Sequence, residues 1–205
     1  MTRVVLLHGL GRGPSSMRRL ASALEEAGFD TLIVGYKSTS GPLSDLADRI
    51  APQLPPRGTL HFVGHSLGGI LAKPLMRGLP DTRQGRIVQI GAPNAGSALA
   101  TRVEFLEPVL GPVLEQLEPG DMPDDSDLDI GAIAGNAALN AYGYITGLDG
   151  ENDGKVTVKS AWGTAPPDKR IKLPVAHSTM MFDARVIAQT VAFLETGKFL
   201  PVTQE

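Results

Sequence analysis

Six short apolar runs constrain this chain's fold more than any other feature. They occupy positions 4–8, 31–36, 60–64, 86–91, 128–135 and 170–173. They read as continuous runs rather than polar–apolar alternations, which is the signature of strands buried on both faces. Helical patterns lie between most of them. Met17, Leu20, Ala21 and Leu24 form one apolar face, with Ser15 or Ser16 as the expected cap and Gly28 as the stop. Leu43, Leu46, Ala47, Ile50 and Leu54 form a second face at helical spacing. Val186, Ile187, Thr190, Val191 and Leu194 form a last one, ending near Gly197. Strands alternating with helices predict an α/β fold: about six mostly parallel strands with helices on both faces. With 205 residues, the whole chain, 1–205, is expected to be one domain.

One of these runs leads into a motif that carries chemistry. Thr59-Leu60-His61-Phe62-Val63 reads as a strand, Gly64-His65-Ser66-Leu67-Gly68 fits G-x-S-x-G, and a helical pattern starts at Gly69-Ile70-Leu71-Ala72. Strand, sharp turn and helix are the context in which such a serine acts as a nucleophile. The turn strains the serine's backbone, so side chains two positions away on either side would collide with it. It also aims the N–H groups of the following helix at the serine. Pro74 falls inside that helix and is expected to kink or loosen it.

An activated serine needs a base, an orienting acid and two donors for the oxyanion. The chain has 4 histidines. His8 lies at the exit of the first strand, His61 inside a strand and His65 within the pentapeptide. His177 alone follows the last strand, where the order Ser, acid, His requires the base. The loop 147–155 offers Asp149, Glu151 and Asp153 for the acid, and chain order does not separate them. Asp153 is favoured because an extended run, Val156-Thr157-Val158, is expected directly after it as an anchor. Asp-Gly pairs such as Asp153-Gly154 also occur simply as turns. The oxyanion donors are expected to be the backbone N–H of Leu67 and that of Leu10, in the loop His8-Gly9-Leu10-Gly11.

Other classes of function find little support. The chain is 42% hydrophobic and 20% charged with net charge -3, so no electrostatic case exists for nucleic acid. It has no cysteine, which excludes disulfides, thiolate catalysis and cysteine metal sites. No apolar run reaches membrane-spanning length. Met1-Thr2-Arg3 leads straight into the first strand with no signal peptide, so a cytoplasmic location is expected. Gly9-x-Gly11-x-Gly13 lacks the spacing of a dinucleotide loop, and no cofactor is expected. Asp125-Ser126-Asp127-Leu128-Asp129 mimics the start of a calcium loop. Its glycine comes one place late, however, and Asn136 stands where a glutamate belongs. A solvated acidic loop, with no metal, is the expectation there. Leu99, Val103, Leu106, Leu110, Val113 and Leu117 form an amphipathic stripe broken by Pro108, Gly111 and Pro112. It reads either as a broken helix packed on the sheet or as part of a small lid, 97–127, that contacts an acyl chain.

Together these motifs resemble the serine lipase/esterase, triacylglycerol-lipase-like branch of the α/β-hydrolase superfamily. Val5-Leu6-Leu7-His8-Gly9-Leu10-Gly11 looks like its oxyanion loop. Val63-Gly64-His65-Ser66-Leu67-Gly68-Gly69 looks like its nucleophile elbow. Gly91-Ala92-Pro93-Asn94-Ala95-Gly96-Ser97 resembles a Gly-Thr-Pro-x-x-Gly-Ser turn, with Ala92 in place of threonine. Asn152-Asp153-Gly154-Lys155-Val156 with Ser160, and Ala176-His177-Ser178, look like the acid and base segments. The resemblance implies a minimal α/β-hydrolase fold that starts at the family's usual third strand. It also implies hydrolysis of a small ester or lipid by Ser66, Asp153 and His177. The same residues would serve an acyltransferase, thioesterase or amidase. A noncatalytic binding module on this fold would have no need of all three.

Overall fold

The computed structural model of the chain describes residues 2–95, 124–138 and 148–201. Most of the predicted lid segment, 97–127, therefore lies outside the described residues. Six strands form one sheet in the order β2-β1-β3-β4-β5-β6. They are β1 (Thr2–Leu7), β2 (Asp30–Val34), β3 (Thr59–His65), β4 (Gln84–Ile90), β5 (Asp129–Gly135) and β6 (Arg170–Leu173). Every pairing is parallel, and each strand overlaps its predicted run. Side-chain alternation along β1 explains why these runs are continuous. Val4 and Leu6 enter one core with Met17, Leu20, Val88 and Phe193. Val5 and Leu7 enter a second core with Leu46, Ile50, Phe62 and Leu71. Both faces are dry along residues 4–7 of β1, so that stretch is apolar at both parities.

Helices α1 (Arg18–Glu26), α2 (Leu43–Ile50), α3 (Leu67–Arg77), α4 (Val158–Trp162) and α5 (Ala184–Thr196) cover the sheet. α1 and α5 bury their apolar residues in the first core, and α2 and α3 bury theirs in the second. α1 ends in a Schellman pair, with Gly28 N–H donating to Glu25 O and Phe29 N–H to Leu24 O, at 2.9 and 3.0 Å. Gly28 takes φ +93° there, a conformation that costs glycine little. Its start differs from expectation. Neither Ser15 nor Ser16 caps it: a 3-10 turn at Pro14–Met17 leads in, and the Ser16 hydroxyl donates to Gly13 O at 2.7 Å. α3 runs through Pro74 as far as Arg77.

The order of strands reverses between β1 and its neighbour β3. In open α/β sheets a crevice forms at such a switch, outside the C-terminal ends of the strands. The register pairs Leu7 with Gly64, so the loops leaving β1 and β3 emerge side by side. His61 has a local task in this sheet. The β3–β4 register shifts between Leu60 and Phe62, and His61 Nδ1 accepts the freed backbone N–H of Arg86 at 2.7 Å.

The acidic stretch 125–129 departs from expectation too. Asp125 is buried, its carboxylate 2.5 Å from Lys73 Nζ and 2.9 Å from the Arg77 guanidinium. Asp127 pairs with Arg77, and Asp129 with Arg86 and Lys169. Asp125 and Asp127 tie the segment before β5 to α3, with Asp125 turned away from water and Asp127 exposed, and Asp129 ties the start of β5 to β4 and to the turn before β6. A buried ion left without its partner is strongly destabilising. Asp125→Ala, which strands Lys73, should therefore lower the unfolding free energy by about 3–5 kcal/mol in urea denaturation. Lys73→Met leaves Asp125 paired with Arg77 and should cost only about 1–2 kcal/mol. Equal losses would show that Arg77 alone does not compensate Asp125 for the loss of Lys73.

Candidate active site

The turn after β3 holds Ser66 at φ 54°, ψ -121°, the only positive φ at a non-glycine among the described residues. Such a backbone is strained and persists only where its surroundings fix it. Ser66 N–H donates to Ile90 O, and Gly69 N–H to Ser66 O, both at 2.9 Å. The flanking glycines allow this because no side chain fits. A Cβ on Gly64 would lie 2.2 Å from the Gly68 carbonyl carbon, and one on Gly68 would lie 2.3 Å from Leu7 O. Ser66 thus stands at the N-terminus of α3, half-buried, with Leu67 as the first helical residue. The loop leaving β1 lies against it: a Cβ on Gly9 would sit 3.2 Å from Ser66 Cβ. That loop, which carries Leu10, is pinned by Gly11 N–H to Ser38 Oγ at 3.0 Å and Arg12 N–H to Gly9 O at 3.2 Å.

Asp153 and His177 are brought together from separate loops. His177 Nδ1 lies 2.7 Å from Asp153 Oδ2, with side chains 6% and 0% exposed. A carboxylate oxygen accepts this bond, so the proton sits on Nδ1 and the lone pair on Nε2. The other carboxylate oxygen accepts backbone N–H groups of Lys155 and Val156 at 2.9 and 2.8 Å. The backbones are joined as well, His177 N–H donating to Asp153 O at 2.9 Å. Thr157 caps α4 instead of extending a strand, and a single bridge to Asn152 closes the turn. The anchor of Asp153 is thus a turn and a helix rather than the predicted extended run. The rival acids stand apart: Asp149 is exposed, and Glu151 is an exposed partner of Lys172. The Lys172 contact holds the Glu151 carboxyl below its ordinary range.

Two glycines let these loops meet: Gly91, which opens the Gly-Ala-Pro motif, and Gly135, which no motif flags. Gly91, at φ +59°, leaves β4 one residue after the carbonyl that Ser66 binds, and a Cβ there would lie 3.2 Å from both Asp153 Oδ2 and His177 Nδ1. Gly135 ends β5, where a Cβ would lie 2.4 Å from Val175 O and 2.9 Å from Asp153 Cβ. The only signal of Gly135 is its place at a strand exit. The turn after β4 is tied to α4, with Ala95 N–H donating to Ser160 Oγ at 3.2 Å and Asn94 Nδ2 to Ala161 O at 3.0 Å.

His8 stacks on Tyr36 with ring centres 4.1 Å apart, and burial lowers its pKa. A cavity of about 300 Å³, lined in part by Lys73, Gln89, Asn94, Asp125 and Trp162, lies beside α3; Ser66, Asp153 and His177 do not line it. Among the described residues no group of three or more acids and histidines is arranged to hold a metal ion. No helix among them is long and apolar enough to cross a membrane.

The fold has many counterparts among solved structures. The lipase BlEst2 of Bacillus licheniformis, in its propeptide form, superposes with TM-score 0.76 at 20% identity, over 99% of this chain and 51% of that one. A metagenomic carboxyl esterase gives 0.66 at 19%, over 87% and 65%. Polyneuridine aldehyde esterase gives 0.61 at 14%, over 95% and 99%. The chain has the α/β-hydrolase fold, and its structural neighbours are lipases and esterases. No protein-family model matches the sequence. Among curated proteins, a 107-residue stretch is 35% identical to shikimate dehydrogenase (NADP(+)) of Streptomyces avermitilis, over 48% of this chain and 36% of that protein. A 103-residue stretch is 29% identical to the lysosomal thioesterase PPT2 homolog of Drosophila melanogaster, over 45% and 36%. The chain thus matches about a third of the length of each of these curated relatives.

The elbow geometry makes a direct demand on Gly64. Its Cβ would strike backbone rather than a movable side chain. Gly64→Ala should destabilise the fold by about 3 kcal/mol or more, or leave no soluble protein. Gly13→Ala meets nothing within 4 Å and should stay within about 0.5 kcal/mol of the parent. Urea denaturation of the two variants side by side checks this.

Proposed function

We propose that this chain is a serine hydrolase that cleaves carboxylic esters through an acyl-enzyme. The observation that carries the reading is the buried Asp153–His177 hydrogen bond, at the strand edge where Ser66 is held in strain. Ser66 Oγ attacks the ester carbonyl carbon while His177 Nε2 takes its proton. The N–H groups of Leu10 and Leu67 hold the oxyanion, and Leu67 adds the positive end of α3. The intermediate collapses, and the departing alkoxide takes the proton from His177 and leaves as the alcohol. Water then repeats the sequence, releasing the acid and restoring Ser66. Asp153 fixes the imidazole tautomer and stabilises the imidazolium.

The lipase and esterase neighbours support an ester as the substrate. A thioester is the second reading, favoured by the stretch shared with the thioesterase homolog. The likeness to a dehydrogenase finds no support in the loop after β1. Its glycines lack the dinucleotide spacing, and the loop enters a 3-10 turn at Pro14 rather than a helix.

Ser66→Ala should reduce hydrolysis of p-nitrophenyl esters by at least about 10³-fold with the fold intact, and a fluorophosphonate should label Ser66 alone. Turnover near that of the parent would end the hydrolase reading. Pairing each acyl chain length as ester and as thioester distinguishes the two substrate classes. For the acid, Asp153→Asn should lower kcat by about 10⁴-fold through the wrong imidazole tautomer. Glu151→Gln, altering an exposed pair, should stay within about tenfold. The reverse ranking would reassign the acid.

A further inference from the structure

The pentapeptide contains a second histidine that the chemistry above does not use. His65 is 1% exposed, and its Nε2 lies 3.0 Å from the backbone carbonyl oxygen of His177. A carbonyl only accepts, so Nε2 carries the proton and Nδ1 the lone pair. Nδ1 is buried with no hydrogen-bond partner among the described residues. It rests on the oxyanion loop, where a Cβ on Gly9 would come within 2.9 Å of it. The two imidazoles are 4.8 Å apart, centre to centre, at 50°. One ring therefore touches the nucleophile's turn, the loop that carries Leu10 and the residue placed as the base.

The bonds of His177 show what this contact contributes. Its N–H is bound to Asp153 O, its Nδ1–H to Asp153 Oδ2 and its carbonyl to His65. Only Nε2, the atom that would take the serine's proton, is left to the reaction. The loop around His177 is also held by Ala137 N–H on Val175 O, by Arg12 on Ser178 O and by the burial of Met180 and Met181. The contact with His65 adds the tie between His177 itself and the residue that directly precedes the nucleophile. A charged His65 would hold a buried N–H with nothing to accept it. Burial, first, and the charge of His177 push its pKa well below the usual imidazole range, with Arg12 and Lys155 adding to the effect.

We propose that His65 is a positioning residue: as a neutral Nε2–H donor it fixes the His177 backbone to the elbow and so sets the distance of proton transfer. This rests on the assignment of Ser66 and His177 above. A base displaced by about an ångström can cost about 10²-fold. His65→Leu fills similar space without a donor, and should lower kcat about 30–100-fold while KM stays within about threefold. Gln can place an N–H where Nε2 stood, so His65→Gln should restore kcat to within about fivefold of the parent. Asn is too short to reach, and His65→Asn should behave like His65→Leu. If the leucine variant does not fold, the Gln and Asn pair decides. Parent-like kcat in His65→Leu, or equal kcat in His65→Gln and His65→Asn, overturns the proposal.

Imidazole ¹⁵N resonances of the unmodified protein give a readout independent of turnover. They should show His65 as the neutral Nε2–H tautomer from about pH 5 to 8, a range in which an ordinary histidine changes charge. An Nδ1–H tautomer, or titration within that range, overturns the proposal. An inactive parent protein whose Ser66 takes no fluorophosphonate defeats the hydrolase reading instead, while the tautomer still reports on the bond.

Discussion

A serine held at φ +54° dictates what can stand around it. The backbone folds back so tightly that Gly64 and Gly68 are within van der Waals overlap of any added methyl group. The hydroxyl is lifted clear of the sheet, and α3 starts directly behind it. Backbone strain of this kind costs about 1–3 kcal/mol and survives only where the surrounding structure over-determines it. Here it is fixed by Ser66 N–H on Ile90 O, Gly69 N–H on Ser66 O and the packing of α3 on β1, β3 and β4. The two cores on either face of the sheet thus set the geometry of a single residue.

The sheet's topology supplies the rest. Because the strand order reverses between β1 and β3, the loop after β1 and the turn that carries Ser66 leave adjacent strands in matching register. β4 then ends at Ile90, and the missing side chain of Gly91 just after it leaves room for Asp153 and His177. β5 and β6 each end just before a stretch that runs to one of these residues. Each parallel strand delivers one loop to the same edge, as α/β sheets do around their ligand crevices.

Much of this was legible in the sequence, and the reason is burial on both faces. The inner strands were readable as apolar runs because both faces of the sheet are buried there, whereas edge strand β6 alternates, with Ile171 and Leu173 buried and Arg170 and Lys172 partly exposed. The strained turn at Ser66 was expected from local spacing, and the pairing of His177 with an acid of the loop 147–155 from chain order. Asp153 was separated from Asp149 and Glu151 by the resemblance of its segment to the family's acid segment and by its expected anchor, which proved to be a turn capped by Thr157 rather than a strand. Most of the misread parts have partners distant in sequence, and Ser16, bonded three residues back, is the exception. Asp125 looks solvated until Lys73 and Arg77, on α3, are set beside it. Ser16 looks like a cap until Gly13 O is seen to accept its hydroxyl. Gly135 carries no local signal, and the motif that Gly91 opens does not say why a glycine is needed, because the atoms that would strike either belong to loops far along the chain. The stripe from Leu99 to Leu117 lies outside the described residues.

Two histidines within 5 Å of each other hold opposite tautomers, and each is set by what accepts its proton. Asp153 draws the proton of His177 to Nδ1 and leaves Nε2 with a lone pair. The His177 carbonyl draws the proton of His65 to Nε2 and leaves a buried, bare Nδ1 against the oxyanion loop. The first nitrogen is free to take a proton, and the second is shielded from water. On the proposed mechanism, one of two identical side chains exchanges protons and the other does not. Sequence position alone could not make that division, since it rests on which oxygen lies 3 Å away.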